Sequence, residues 1–589
     1  MSDSAAPVPQ PPFRPLRIYA LDPMRLDDSG EGFVTPRAVL NVEYEELRPG
    51  PIGERFQVID FDGSRNVFYE PVDLDDPRII MTQGLTPTET EPRFHQQMVY
   101  AVASSVWSAC EAALGRRIGL HQGGLKIFPH AFYGENAYYD PDRTALLFGY
   151  FQADDSDPGP NLPGQFVFTC LSHDVVAHET THAVVDRLRP GFNEATNPDV
   201  TAFHEAFADL VAIFRHFTLD QVLIDAINKN KADVTSADAI SGLARQFGFA
   251  TSQQQALRDA FDEKPDPTRL AKTLEPHARG VILVQAIFAA YRTTYLARVQ
   301  DLLRLASGGT GILAEGRPHP DLVRRLAREA SATAQLFFER CVQAFTYLPP
   351  IDVTFPDFLR AIVTVDAVMS PSDDSIRTSI IEACRRRGIY ATQAGSLADQ
   401  AIALPIYSGR PLKLGVVPQL VNRTTSTLGA WRPRGRDDKI EEGKIAAELN
   451  LWAGEHAEAI GLMPPVKGSI AIKTAGFHST IRRQTNGQPG VDTVVQFVQH
   501  RPDLATDDLG GVVPKAAVTL VADAVGNVHY LIGKTMDAKS PRLEELRKTI
   551  DAFDREDPKS AYQASNAGPA RLRVNFARLH GGFDRRSEW

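Results

Sequence analysis

At 589 residues the chain is too long for one ordinary core, so two or three domains are expected. Its 43% hydrophobic and 23% charged residues are ordinary for a soluble globular protein, and a formal net charge of −10 argues against non-specific nucleic-acid binding. The four cysteines (Cys110, Cys170, Cys341 and Cys384) stand far apart without a CxxC pair, which reads as free thiols in a reducing compartment.

The first residues lack the basic and apolar regions of a signal peptide, and no stretch approaches the roughly eighteen uninterrupted apolar residues of a membrane span. A cytoplasmic location with no membrane partner is the expectation. Residues 1–15 are Pro-rich and read as a disordered tail. Residues 16–85 carry short β-like runs at 17–21, 39–44 and 56–61 between turn signals, an accessory β-rich segment without evident chemistry. Residues 94–114 form a helix whose stripe of Phe94, Met98, Val102, Val106 and Cys110 faces a core. Strands are expected at 126–129 and within 136–151, around an Asp-Pro-Asp turn.

The stretch 172–188, Ser-His-Asp-Val-Val-Ala-His-Glu-Thr-Thr-His-Ala-Val-Val-Asp-Arg-Leu, has apolar residues at helical spacing and an N-cap in Ser172. His178 and His182 then lie one turn apart on one face, where two imidazoles can hold one zinc ion. Glu179, beside the first, can reach a water at the metal without binding the metal itself. A second helix begins at Asn197-Pro198 and runs to about Ile213. It places Glu205 and Asp209 on one face. Glu205 supplies a third, oxygen ligand, and Asp209 supplies an acceptor for the other ring nitrogen of a ligating histidine.

Val-Val-Ala-His-Glu-x-Thr-His-Ala-Val-x-Asp, followed by x-Glu-Ala-x-x-Asp about two dozen residues on, resembles the thermolysin-like zinc metallopeptidases, the gluzincins. The resemblance covers a third to a half of the chain. It implies His178, His182 and Glu205 as ligands of one zinc ion per chain, Glu179 as general base and Asp209 behind the ligands. It also implies a peptide or protein substrate, held along an edge strand by Asn136 and Ala137 with Tyr138 lining the cleft. His277, ahead of a glycine and an apolar helix, matches the family's oxyanion-binding histidine. Arg258 matches its carbonyl-binding arginine.

There are departures. Phe192 stands near a position where the family has a tyrosine. Asp174 stands where a calcium ligand is common, but 213–217 lacks the acidic cluster to complete such a site, so calcium is not expected.

The fold class expected is α+β. Residues 86–392 form a thermolysin-like unit with strands in its N-terminal half, the zinc helix, and a mainly helical C-terminal half. Residues 393–589 form a separate α/β or α+β domain of unknown role. Within it, β runs lie at 493–498, 517–522 and 528–532, the last two as a hairpin, and a helix follows Ser540. His478, His500, His529 and His580 show no ligand spacing. This region is expected to pack near the cleft and limit which substrates enter. The alternative to a peptidase is a weak or inactive zinc scaffold that binds a protein partner.

Overall fold

The computed structural model describes residues 11–20, 37–120, 123–156, 158, 161–229, 264–313, 318–426, 436–483, 489–552, 562–564 and 572–580. Arg258 lies outside them. The fold mixes helices and strands in an α+β arrangement.

The chain opens with a hairpin of β1 (Phe13–Tyr19) and β2 (Arg37–Glu43), paired antiparallel. Residues 13–15, expected in a disordered tail, are thus part of a strand. A five-stranded mixed sheet follows, built from β3 (Phe56–Val58), β4 (Leu125–Tyr133), β5 (Ala137–Asp140), β6 (Ala145–Gln152) and β7 (Phe166–Phe168). Its order is β3-β4-β6-β5, with β7 also on β6, so β5 is an edge. Helix α1 (Pro92–Leu114) packs beneath, with all five residues of the expected stripe buried. It ends at Gly115, whose φ is 63°; a Cβ there would stand 2.1 Å from the Ile481 carbonyl, so only glycine lets this helix end meet the C-terminal sheet.

The helical part contains α2 (His173–Leu188), α3 (Pro198–His216), α4 (Pro276–Ala306), α5 (Pro320–Gln343), α6 (Phe355–Met369) and α7 (Ser375–Arg385). Each of α3, α4, α5 and α6 has proline in its first turn, where the missing N–H costs no hydrogen bond. By length and composition α4 is apolar enough to cross a bilayer, yet 72% of its most apolar window is buried inside the fold. This is how a central helix of a packed protein looks.

Toward the C-terminus, α8 (Arg436–Glu455) precedes an antiparallel meander of β8 (Ile472–Arg483), β9 (Pro489–His500), β10 (Lys515–Ala522) and β11 (Val528–Lys534). After α9 (Pro541–Ala552) come β12 (Tyr562–Ala564), β13 (Leu572–Val574) and a last short helix, α10 (Phe576–His580). The buried apolar residues of the meander and of this last stretch belong to the same cluster that begins at Leu16 and includes α2 and α3. Salt bridges Lys515–Glu194, Lys534–Asp357 and Arg542–Asp352 cross from the meander and α9 to the helical part.

Candidate metal centre

Helix α2 is buried on nearly every side: of its sixteen residues only Arg187 is not fully buried. Two threonines inside it are tolerated because each hydroxyl donates one turn back, Thr180 to the Val176 carbonyl at 2.7 Å and Thr181 to the Ala177 carbonyl at 2.8 Å. Ser172 caps the start. Helix α3 is capped by Asn197, whose side chain accepts from the Asp199 N–H at 2.8 Å and donates to Asp352 at 2.7 Å. Helix α4 crosses α3 at Gly280. A Cβ there would meet the Ala202 carbonyl at 2.8 Å, so only glycine permits the approach that sets His277 beside Glu205.

The expected constellation converges. His178 Nε2 lies 3.0 Å from His182 Nε2 and 3.3 Å from Glu205 Oε2, and His182 Nε2 is 3.7 Å from Glu205 Oε1. Four metal-binding side chains, His178, His182, Glu205 and His580, present donor atoms all within 4.8 Å of one another. Ligands at about 2.0–2.1 Å around a tetrahedral ion stand roughly 3.3 Å apart, and the observed spacings bracket that value. Two imidazole nitrogens 3.0 Å apart repel through their lone pairs unless a proton or a cation lies between them. The donor set therefore fits a metal ion.

The second nitrogens fix the first. His178 Nδ1 bonds Asp209 Oδ1 at 2.9 Å, which orients Nε2 inward. Burial works against a charge on His178, but its bonds to Asp209 and Glu205 outweigh that and lift its pKa to about 10. His182 Nδ1 faces His204 Nδ1 at 3.3 Å. Burial drives His204 down to about 4 and His182 well below its usual range, so both rings are neutral and one donates to the other. Glu205 is held well below the usual carboxylate range; burial opposes this, and the surrounding imidazoles, His580 foremost, outweigh it.

Glu179 is buried, with Oε2 lacking a partner among the described residues and Oε1 3.1 Å from His580 Nδ1. His277 sits in the first turn of α4, where Glu275 accepts from its backbone N–H and stands 3.0 Å from its Nδ1. That leaves His277 Nε2 3.5 Å from Glu205. Glu275 is thus the carboxylate partner of His277 Nδ1. Asn136 and Ala137 lie at the edge strand beside the cluster, contacting the last helix. Tyr138 does not: its ring stacks on Phe132 at 5.7 Å, and the alternation of β5 turns Tyr139 toward α2, where its hydroxyl donates to Asp186 at 2.7 Å. Phe192 is fully buried against Phe203 and Phe345, a packing residue. Asp174 is paired with His216 at 2.7 Å and His173 at 3.2 Å.

Two participants escaped the sequence. His204 sits inside the second motif but looks there like one more helix residue. His580, read as lacking ligand spacing, comes 375 positions after Glu205 and lies 3.3 Å from its carboxylate. Only the fold brings it in.

A scan of the chain against protein-family models found no match, and no curated protein matches it.

Proposed function

We propose that the chain is a zinc-dependent peptidase with a thermolysin-like active site, its catalytic unit spanning about residues 86–392 and followed by a distinct C-terminal region. The observation that carries this reading is the convergence of His178, His182 and Glu205 beside a buried Glu179, with Asp209 behind His178. Two imidazoles and one carboxylate are the donor set of catalytic zinc.

A zinc ion bound there supplies Lewis-acid chemistry, lowering the pKa of water and polarising a carbonyl. The chain's own groups do the rest. Glu179 takes the proton from the attacking water and later gives it to the leaving amine. Its free Oε2 and its burial suit a base that acts in a dry site. His277, oriented by Glu275, donates from Nε2 to the oxygen that gains charge. Asn136 and Ala137, at the edge strand, hold the substrate main chain. Arg258 would bind a substrate carbonyl. Asp209 and His204 act through the ligands, fixing which nitrogen of His178 and His182 faces the ion.

A second reading, a non-catalytic zinc scaffold that engages a protein partner, is favoured by one observation: His580 completes four protein donors, the pattern of closed structural sites. Metal analysis joined to hydrolysis of denatured casein, with and without chelator, separates the two. The peptidase reading expects cleavage, at the latest once His580→Ala removes the fourth donor, that stops with chelator and is absent when Glu179→Gln is added. Zinc-loaded protein that never cleaves, either as wild type or as His580→Ala, supports the scaffold.

A further inference from the structure

We propose that His580 is a fourth protein ligand of this centre, and that residues 572–580 of the same chain fill the cleft a peptide would occupy. The second half rests on the peptidase reading; the first does not. His580 Nε2 stands 3.3 and 3.4 Å from the two oxygens of Glu205, within the donor spacing of His178 and His182. Its Nδ1 faces two acceptors, the Ala137 carbonyl and Glu179 Oε1, each at 3.1 Å. With Nδ1–H donated there, the Nε2 lone pair is left for a metal, the same division of labour seen at His178.

The segment is clasped on both sides of this ring. The Ala195 N–H donates to the Leu572 carbonyl at 2.8 Å, and the Val574 N–H donates to the Asn193 carbonyl at 2.9 Å. Phe576 is fully buried, its ring centroid 4.5 Å from that of His182 and 5.2 Å from that of His204. Asn136 Nδ2 donates to the Ala577 carbonyl at 2.9 Å, and Arg573 pairs with Asp142 at 2.6 Å. Asn136 and the Ala137 carbonyl are the groups an extended substrate would use. A histidine in an ordinary structural clasp needs one polar partner; His580 meets a carbonyl and two carboxylates at the donors of a metal set. Four protein donors leave no position for water, and Glu179 is occupied by the same ring. The chain with this segment seated is therefore latent, and its displacement opens the centre.

Cobalt(II) loaded into the full-length protein tests this without relying on activity. The wild type should give the intense visible absorption of a four-donor site and show no response to azide. His580→Ala should bind the ion at least about tenfold more weakly and change its spectrum on adding azide, because a position is open. Equal affinities, spectra and azide responses in the two proteins would overturn the proposal. Should H580A fail to fold, Phe576→Ala carries the test: it loosens the clasp while keeping the ring. Azide sensitivity there supports the ligand role, and indifference overturns it. Casein cleavage is read separately. A cobalt response without cleavage keeps His580 as ligand and sinks the peptidase reading; equal cleavage by both proteins with unaltered spectra does the reverse.

Discussion

The middle and the C-terminal end of α2 bury charge in opposite ways. Midway along the helix, His178 lies among carboxylates that lift its pKa to about 10. At the C-terminal end Arg189 is 1% exposed, and its partners are neutral. It donates to the carbonyls of Leu188 and Phe345, and to the Gln496 amide oxygen once that amide is oriented to satisfy both groups. Burial pulls its pKa down to about 9. It sits at the negative end of the helix dipole, which offsets part of the cost. The middle has an excess of acceptors that favours a cation, and the C-terminal end satisfies a cation already covalently present. The first could hold a metal; the second is a joint between α2 and the C-terminal meander.

The sharpest way to break this contrast is His182→Ala. It should reduce bound metal from about one ion per chain to nearly none by elemental analysis, while a melt shows the fold intact. Full stoichiometry would mean the ion, if any, sits elsewhere. In a His580→Ala background, Glu179→Gln should keep the metal and lower peptidase kcat by roughly 10²–10⁴-fold, the usual contribution of a general base; an unchanged kcat would reject its role. Asp209→Ala should weaken metal affinity by about ten- to a hundredfold in a competition titration with a chelator. Unaltered affinity would show that its bond to His178 does not matter.

At the C-terminal end, Arg189→Met keeps bulk but strands buried carbonyls. It should cost about 1–3 kcal/mol in a urea melt with metal content untouched, and a loss of metal would erase the distinction between the two places. The mildest test concerns groups that have neither kind of support. Burial pushes the Cys110 and Cys384 thiols up to about 12, so both stay neutral up to that pH. Iodoacetamide at pH 8 should leave them unmodified in the native protein and label them once urea is added, as read by intact mass. Labelling of the native protein would mean those cores open.

The centre was legible wherever its geometry is local. Two histidines and a glutamate within one helical turn, capping residues and an acidic pair four apart are set by the 3.6-residue period, which a sequence displays directly. Tyr138 shows where a local rule lacks a sign: alternation says that neighbours face opposite ways, but not which of Tyr138 and Tyr139 faces α2. Gly280 is visible as a residue, while its purpose needs the backbone of α3 beside it. His580 could not be read at all, because its partners come from three distant stretches and its own surroundings carry no ligand spacing. Even the apolar length of α4 misleads until its neighbours are seen.

The separation of His580 from its neighbours also has a meaning in time. Glu205 leaves the ribosome 375 residues earlier. At about 5–20 residues per second, the three donors of α2 and α3 exist for roughly 20–75 s before the fourth is made. An ion arriving in that interval would meet a three-sided set, and the last helix would then close over it. Order of synthesis would then place loading before sealing.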